Sequence, residues 1–220
     1  MWCIPALDAP YINRMNDLLD LYAKPHDLEE PVVCVDEKSK QLIADVRPSL
    51  PIAPGQGQRV DCHYKRHGTQ NIFVAVEPKA GQRITQVTQR RKRQDYAQFL
   101  AEVLAQYPDA TKVHIVHDNL NIHAPGKLPA FFIQTPALLE KAVFHPTPVH
   151  ASWLNQAEIE IGAMDRQCLD RRIPDAVTLR REVDAWTEER NQRGVQIRWA
   201  FTREKAAIKF KIKKVTELVD

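Results

Sequence analysis

Two short apolar runs, each closed by an aspartate, constrain this chain more than anything else in it. Pro31-Val32-Val33-Cys34-Val35-Asp36 and Lys112-Val113-His114-Ile115-Val116-His117-Asp118 are too short for helices and too rich in β-branched residues for loops. Both read as buried strands whose last residue emerges as a carboxylate. Ligands of α/β sheets gather at such strand ends.

The rest of the chain supplies helices around these strands. Residues 1–30 read as a lead-in, where Pro5 and Pro10 are followed by Met15, Leu18, Leu19 and Tyr22 at helical spacing, up to Pro25. Residues 47–57 hold three prolines and two glycines and must be a loop. A strand is expected at 59–64 and a turn at 65–69, then a hairpin of 71–77 and 83–88 joined through Pro78-Lys79-Ala80-Gly81. From about Gln94 an amphipathic helix presents Tyr96, Phe99, Leu100, Val103 and Leu104 on one face. A helix over 127–140, a strand over 142–147, a long helical region from Ser152 to about Arg172 and a helix over 175–191 complete the pattern. Ser152 is expected to cap the long helix. The order predicts an α/β fold, a mixed sheet flanked by helices. Residues 31–195 would form the main domain and 196–220 a basic tail.

Composition excludes several classes. Apolar residues at 44% and charged residues at 27% are the balance of a globular protein. No run approaches the roughly 18 apolar residues of a membrane span. The N-terminus lacks a basic segment followed by an apolar one, so a cytoplasmic location is expected. Cys3, Cys34, Cys62 and Cys168 are widely separated, with neither zinc-ribbon nor disulfide-framework spacing. Neither Gly-x-Ser-x-Gly nor a Walker A pattern occurs. His114, His117, His145 and His150 lack compact zinc spacing.

The net charge of +3 permits nucleic-acid binding without predicting it. Its distribution says more. Lys65-Arg66-His67, Arg90-Arg91-Lys92-Arg93, Arg171-Arg172 and Lys209-Lys211-Lys213-Lys214 are clusters suited to phosphates.

Besides Asp36 and Asp118, Glu158 stands out in the helix after the Pro146–Pro148 corner. Grouped carboxylates repel one another unless a hard cation such as Mg²⁺ neutralises them. Trp153, Ala157, Ile161, Met164 and Cys168 form an apolar stripe, and Glu158 and Glu160 both lie on its flanks, so periodicity does not choose between them. Glu37 points away from Asp36 if its strand continues. Trp153 is suited to stacking on a base, but core packing is the expected role.

Three ordered stretches carry a resemblance: Val33-Cys34-Val35-Asp36-Glu37-Lys38-Ser39, His117-Asp118-Asn119-Leu120-Asn121-Ile122-His123 and Ser152-Trp153-Leu154-Asn155-Gln156-Ala157-Glu158. With Tyr64–Thr69, Thr147–His150 and Arg166–Leu169, they resemble the catalytic domain of mariner-related bacterial insertion-sequence transposases, the insertion-sequence-630 group of the DDE superfamily. The resemblance implies a ribonuclease H-like fold, a two-metal site for Mg²⁺ or Mn²⁺, and DNA cleavage followed by strand transfer. It makes Asp36, Asp118 and Glu158 the metal-binding triad, the last chosen by the Asn155-x-x-Glu158 match. Asn119, His123 and Asn155 would support them, and Lys65, Arg66, Arg90, Arg91 and Arg93 would contact DNA. The implied partners are double-stranded DNA of transposon ends and target and a second copy in a homodimer. An N-terminal helix-turn-helix region, usual in the group, is expected to lie outside this chain. Two alternatives stand beside this reading: another ribonuclease H-like nuclease, or a non-catalytic remnant that binds DNA or dimerises.

Overall fold

A computed structural model describes residues 7–48, 50, 52–57, 59 and 61–212. Five strands form one sheet, in the order β3-β2-β1-β4-β5. The strands are β1 (Val32–Asp45), β2 (Tyr64–Glu77), β3 (Gln82–Thr88), β4 (Val113–His117) and β5 (Ala142–Pro146). The first three are antiparallel, whereas β1, β4 and β5 are parallel. This is the mixed sheet expected from the order of the runs.

Alternation along β1 assigns its two faces. Val33 and Val35 join Phe73, Ala75, Val113 and Ile115 under α2 (Arg93–Ala105), which contributes Tyr96, Phe99, Leu100, Val103 and Leu104. Cys34 faces the other way, with Val76 and Val116, against α1 (Ala9–Ala23) and the start of α4 (Ala157–Met164). Further along that face, Leu42, Ile72 and Val74 meet α4 and α5 (Ala176–Gln192). Side chains fix the helix starts: Asp8 accepts from Tyr11 N–H (2.9 Å) and Asp175 from Thr178 N–H (2.7 Å). Asp95 accepts from Lys92 N–H at 2.8 Å. The Tyr22 hydroxyl donates to Leu154 O (2.8 Å), tying α1 to the segment that leads into α4. No helix among the described residues is long and apolar enough to cross a membrane.

Several local expectations are corrected. Of the strand expected over 59–64, only Tyr64 belongs to one, as the first residue of β2; 61–63 are irregular, Arg59 makes only an isolated bridge to Leu50, and Val60 lies outside the described residues. Residues 65–69 are not a turn but part of β2, because β1 runs on to Asp45 and supplies a backbone partner. Between Gln41 and Ile43 the register shifts by one extra residue on β2, where Gly68 takes φ +86°. The helix expected over 127–140 is broken at Pro129, which starts a 3₁₀ turn (Pro129–Phe131), and at Pro136, which starts α3 (Pro136–Glu140).

The long helix does not start at Ser152. That residue begins a 3₁₀ turn (Ser152–Leu154), Asn155 is extended, and α4 runs from Ala157 into a π turn (Asp165–Leu169). Asn155, not Ser152, provides the side-chain bond to the first turn, accepting from Ala157 N–H at 3.2 Å. The C-terminal segment includes α6 (Arg203–Phe210), while Lys213 and Lys214 lie outside the described residues, as does Cys3. Trp153 packs against Phe201 (5.5 Å between centroids) and Phe210, the core role expected of it.

Candidate active site

Parallel pairing sets the first two carboxylates side by side. Cys34 is in register with Val116, so two steps on, Asp36 and Asp118 occupy equivalent positions on neighbouring strands. Strands of one sheet lie about 4.8 Å apart. Here β4 ends at His117, whereas β1 continues as an arm with β2. Both carboxylates therefore lie at the carboxyl end of the parallel strands.

Asn155 brings in the third. Its fully buried amide donates to Val35 O (2.9 Å) and to Asp36 Oδ2 (3.2 Å). Its carbonyl accepts from Glu158 N–H (3.1 Å), so the residue that clamps Asp36 also starts the turn that carries Glu158.

The two aspartates answer to their surroundings in opposite ways. Burial pushes Asp36 up to about 7, and the charges of Glu158, Glu37 and Asp118 push the same way, against a bond from Glu37 N–H. At Asp118 burial also works upward, but it is outweighed by His123 and the Leu120 N–H (2.9 Å), and the carboxyl is held below its usual range.

His123 is the link. Its Nδ1 lies 2.7 Å from Asp118 Oδ1, and its Nε2 lies 3.0 Å from Glu37 Oε2, an ion-pair distance without hydrogen-bond alignment. Burial opposes the imidazolium, yet the bonds and charges of Asp118 and Glu37 hold its pKa at about 9. Its ring packs on Tyr96 at 4.4 Å between centroids. His117 differs, since burial drives it down to about 4 and its Nδ1–H donates to Asp118 O (2.6 Å). Asn119 Nδ2 donates to Thr147 O (2.5 Å), tying the loop after β5 to the residue beside Asp118.

Of the basic candidates, two adjoin this site. Arg91 Nη1 lies 3.3 Å from Glu37 Oε1, and Arg93 Nη2 donates to Asn121 O (2.7 Å). Arg90 is exposed in the same β3–α2 connection. Lys65 and Arg66 are not brought to the site. Lys65 pairs with Ala44, eight residues along β1 from Asp36, and at about 3.3 Å per residue that is roughly 26 Å away. Arg171 and Arg172 form ion pairs with Glu182 and Asp45.

Glu160 is committed elsewhere. It is 1% exposed and accepts from Arg83 Nε (2.9 Å) and Nη2 (3.2 Å) and from Arg190 Nε (2.5 Å). Sequence reasoning missed this cluster, and also Glu37 as the second partner of His123. Alternation did signal the latter, because it placed Glu37 on the α2 face, where His123 lies.

The donor set fits a hard divalent cation. Three carboxylates lie close enough that, with burial as the main cause, the charges of Glu158 and Asp118 both raise the pKa of Asp36, and a cation there would relieve them. Among the described residues, only Asp61, Cys62 and His63 hold three ligand-type atoms within 4.8 Å of one another. Asp36, Asp118 and Glu158 do not meet that criterion, so their oxygens lie farther apart than the ligands of a single ion at about 2.1 Å per bond.

Comparison with known proteins bears on the fold and the family. No curated protein matches the sequence. Among solved structures, the Mos1 transposase paired-end complex with left transposon end superposes with a TM-score of 0.58 at 16% identity, covering 89% of this chain and 61% of that one. A pre-cleavage Mos1 transpososome gives 0.59 at 16% identity, covering 93% and 63%. The mariner Mos1 paired end complex with Mg gives 0.60 at 17%, covering 97% and 66%. The chain thus spans about three fifths of the first of these structures. The shared fold is the ribonuclease H-like mixed sheet of the Mos1 catalytic domain. A sequence family described as DDE superfamily endonuclease matches residues 31–180, most of the 220-residue chain. The chain belongs to the DDE superfamily endonucleases.

Proposed function

We propose that this chain is the catalytic domain of a mariner-related DNA transposase of the insertion-sequence-630 type. It cuts DNA at element ends and joins the freed end to target DNA. The observation that carries this reading is the set of carboxylates from β1, the end of β4 and α4: Asn155 ties Asp36 to the turn that carries Glu158, and the charges of Glu158 and Asp118 both act on buried Asp36.

Asp36, Asp118 and Glu158 are the residues that would hold Mg²⁺ or Mn²⁺. When bound, such ions activate a water or 3′-hydroxyl and stabilise the leaving oxygen of a phosphodiester. Asn155 fixes Asp36, and cationic His123, backed by Glu37, fixes Asp118. Burial of Asn155 and His123 keeps both anchors out of water. Arg90, Arg91 and Arg93 lie where a phosphate chain reaching the carboxylates would pass, and Lys65 and Arg66 extend a basic track along the arm. The solved Mos1 complexes contain transposon ends and Mn or Mg, which supports DNA and a divalent metal as partners here. The reading implies two such chains acting together, served by a helix-turn-helix region that recognises the ends, on cytoplasmic DNA.

The test is Mn²⁺-dependent nicking and joining of supercoiled plasmid by the purified chain. Nicking that disappears in Asp36→Ala and Asp118→Ala is expected, together with joined products. Nicking with no joined product would make the protein a hydrolytic nuclease. Nicking that survives both substitutions would remove the carboxylates from the reaction.

A further inference from the structure

At the rim of the carboxylate site, Pro148–Ala151 form a tight turn. Ala151 N–H donates to Pro148 O (3.0 Å), and His150, at the third position, has φ +60°. This is the form of a type II turn, whose third position ordinarily demands glycine or asparagine. Only one other non-glycine among the described residues has positive φ: Lys211, which closes α6, a common place for a left-handed residue. His150 closes no helix, so that explanation is lacking.

The turn is anchored on both sides. Thr147 is buried, its N–H donates to His117 O (2.9 Å), and its carbonyl accepts from Asn119 (2.5 Å), so its root is stitched to both neighbours of Asp118. On the other side, buried Ala151 opens the 3₁₀ turn that delivers Asn155 to Asp36. Between these anchors only Val149, 55% exposed, and His150 face solvent. A disfavoured backbone conformation held by well-packed surroundings beside a reactive centre points to use of the side chain it presents.

We infer that His150 is a DNA-contacting residue. It donates an imidazole N–H to a phosphate oxygen of the strand held at Asp36, Asp118 and Glu158, with Val149 packed on the adjoining sugar. The inference rests on the proposed function and names a specific contact within it. No Cβ strain remains if glycine replaces His150, whereas asparagine tolerates the left-handed backbone and keeps a side-chain N–H.

The experiment compares wild type, His150→Gly and His150→Asn as full chains, reading melting temperature, Mn²⁺-dependent plasmid nicking and affinity for a fluorescein-labelled random-sequence duplex. His150→Gly is expected to melt at or above wild type, yet to bind the duplex several-fold more weakly and nick about tenfold more slowly, the effect of removing one charge-assisted hydrogen bond. His150→Asn is expected to recover most of that difference. His150→Gly that binds and nicks like wild type would overturn the contact, as would His150→Asn no better than His150→Gly. Asp36→Ala, run alongside, separates the two claims. Nicking that persists in Asp36→Ala contradicts the carboxylate site, whereas a wild-type His150→Gly contradicts only the role of His150.

Discussion

Helix α4 carries two glutamates two positions apart, and they belong to opposite kinds of environment. Glu160 is buried between Arg83 and Arg190, and both of its oxygens meet guanidinium nitrogens. Glu158 is exposed, and its charge adds to the burial that pushes Asp36 up to about 7. Buried charges are tolerated when paired and hydrogen-bonded, and they shift toward neutrality when they are not. The Glu160 cluster joins β3, α4 and α5 and is complete within the chain. Asp36 has no cationic side-chain partner among the described residues, and such a partner is what the proposed metal would supply.

Substitutions can break this contrast. The largest effect is expected at the complete cluster, where Glu160→Ala strands the fully buried Arg83 guanidinium. Removing one partner of such a pair costs about 3–5 kcal/mol, read as a lowered urea midpoint. Asp36→Asn is expected to act in the opposite direction, stabilising the metal-free protein at alkaline pH by roughly 2–4 kcal/mol, because it removes a buried charge the fold does not neutralise.

The sign of the pH dependence follows. The folded pKa of Asp36 lies above its ordinary 3.8, at about 7, so metal-free stability falls as pH rises between those values. His123 is raised from 6.5 to about 9, so its contribution is full below 6.5 and is lost as pH rises through 9. Urea titrations across pH should show both declines in wild type and only the second in Asp36→Asn. Since a metal ion competes with the proton on Asp36, thermal stabilisation by Mn²⁺ should grow between about pH 6 and 8.

Part of this contrast was legible in the sequence. The strand-end aspartates, the α2 stripe and the helix beginning at 175 rest on local pattern, and local pattern is what a single sequence displays. The arm of β1 and β2 was not legible, because Lys38–Gln41 and Lys65–Gln70 carry no apolar alternation and are strand only through each other. Asn155 as the clamp on Asp36 depends on a hydrogen bond spanning 119 positions, and Glu160 finds Arg83 77 positions away. Only the assembled sheet reveals that Glu160 is neutralised by Arg83 and Arg190, whereas Glu158 forms no ion pair among the described residues.

Smaller effects sharpen the comparison. His123→Ala leaves Asp118 without its cationic anchor and is expected to weaken Mn²⁺ affinity about 10–100-fold, the usual effect of removing a group that orients a ligand. Lys65→Ala with Arg66→Ala, far from the carboxylates, should leave Mn²⁺ affinity alone. It should lower the salt dependence of duplex binding by about 0.9 for each phosphate that is no longer neutralised.

The most direct test is Mn²⁺ titration calorimetry at about pH 8, comparing wild type with Asp36→Ala and Asp118→Ala. Saturable binding in wild type that disappears in both variants is the predicted result. Equal binding by all three proteins, or none by wild type even with DNA present, would contradict a cation held by these carboxylates.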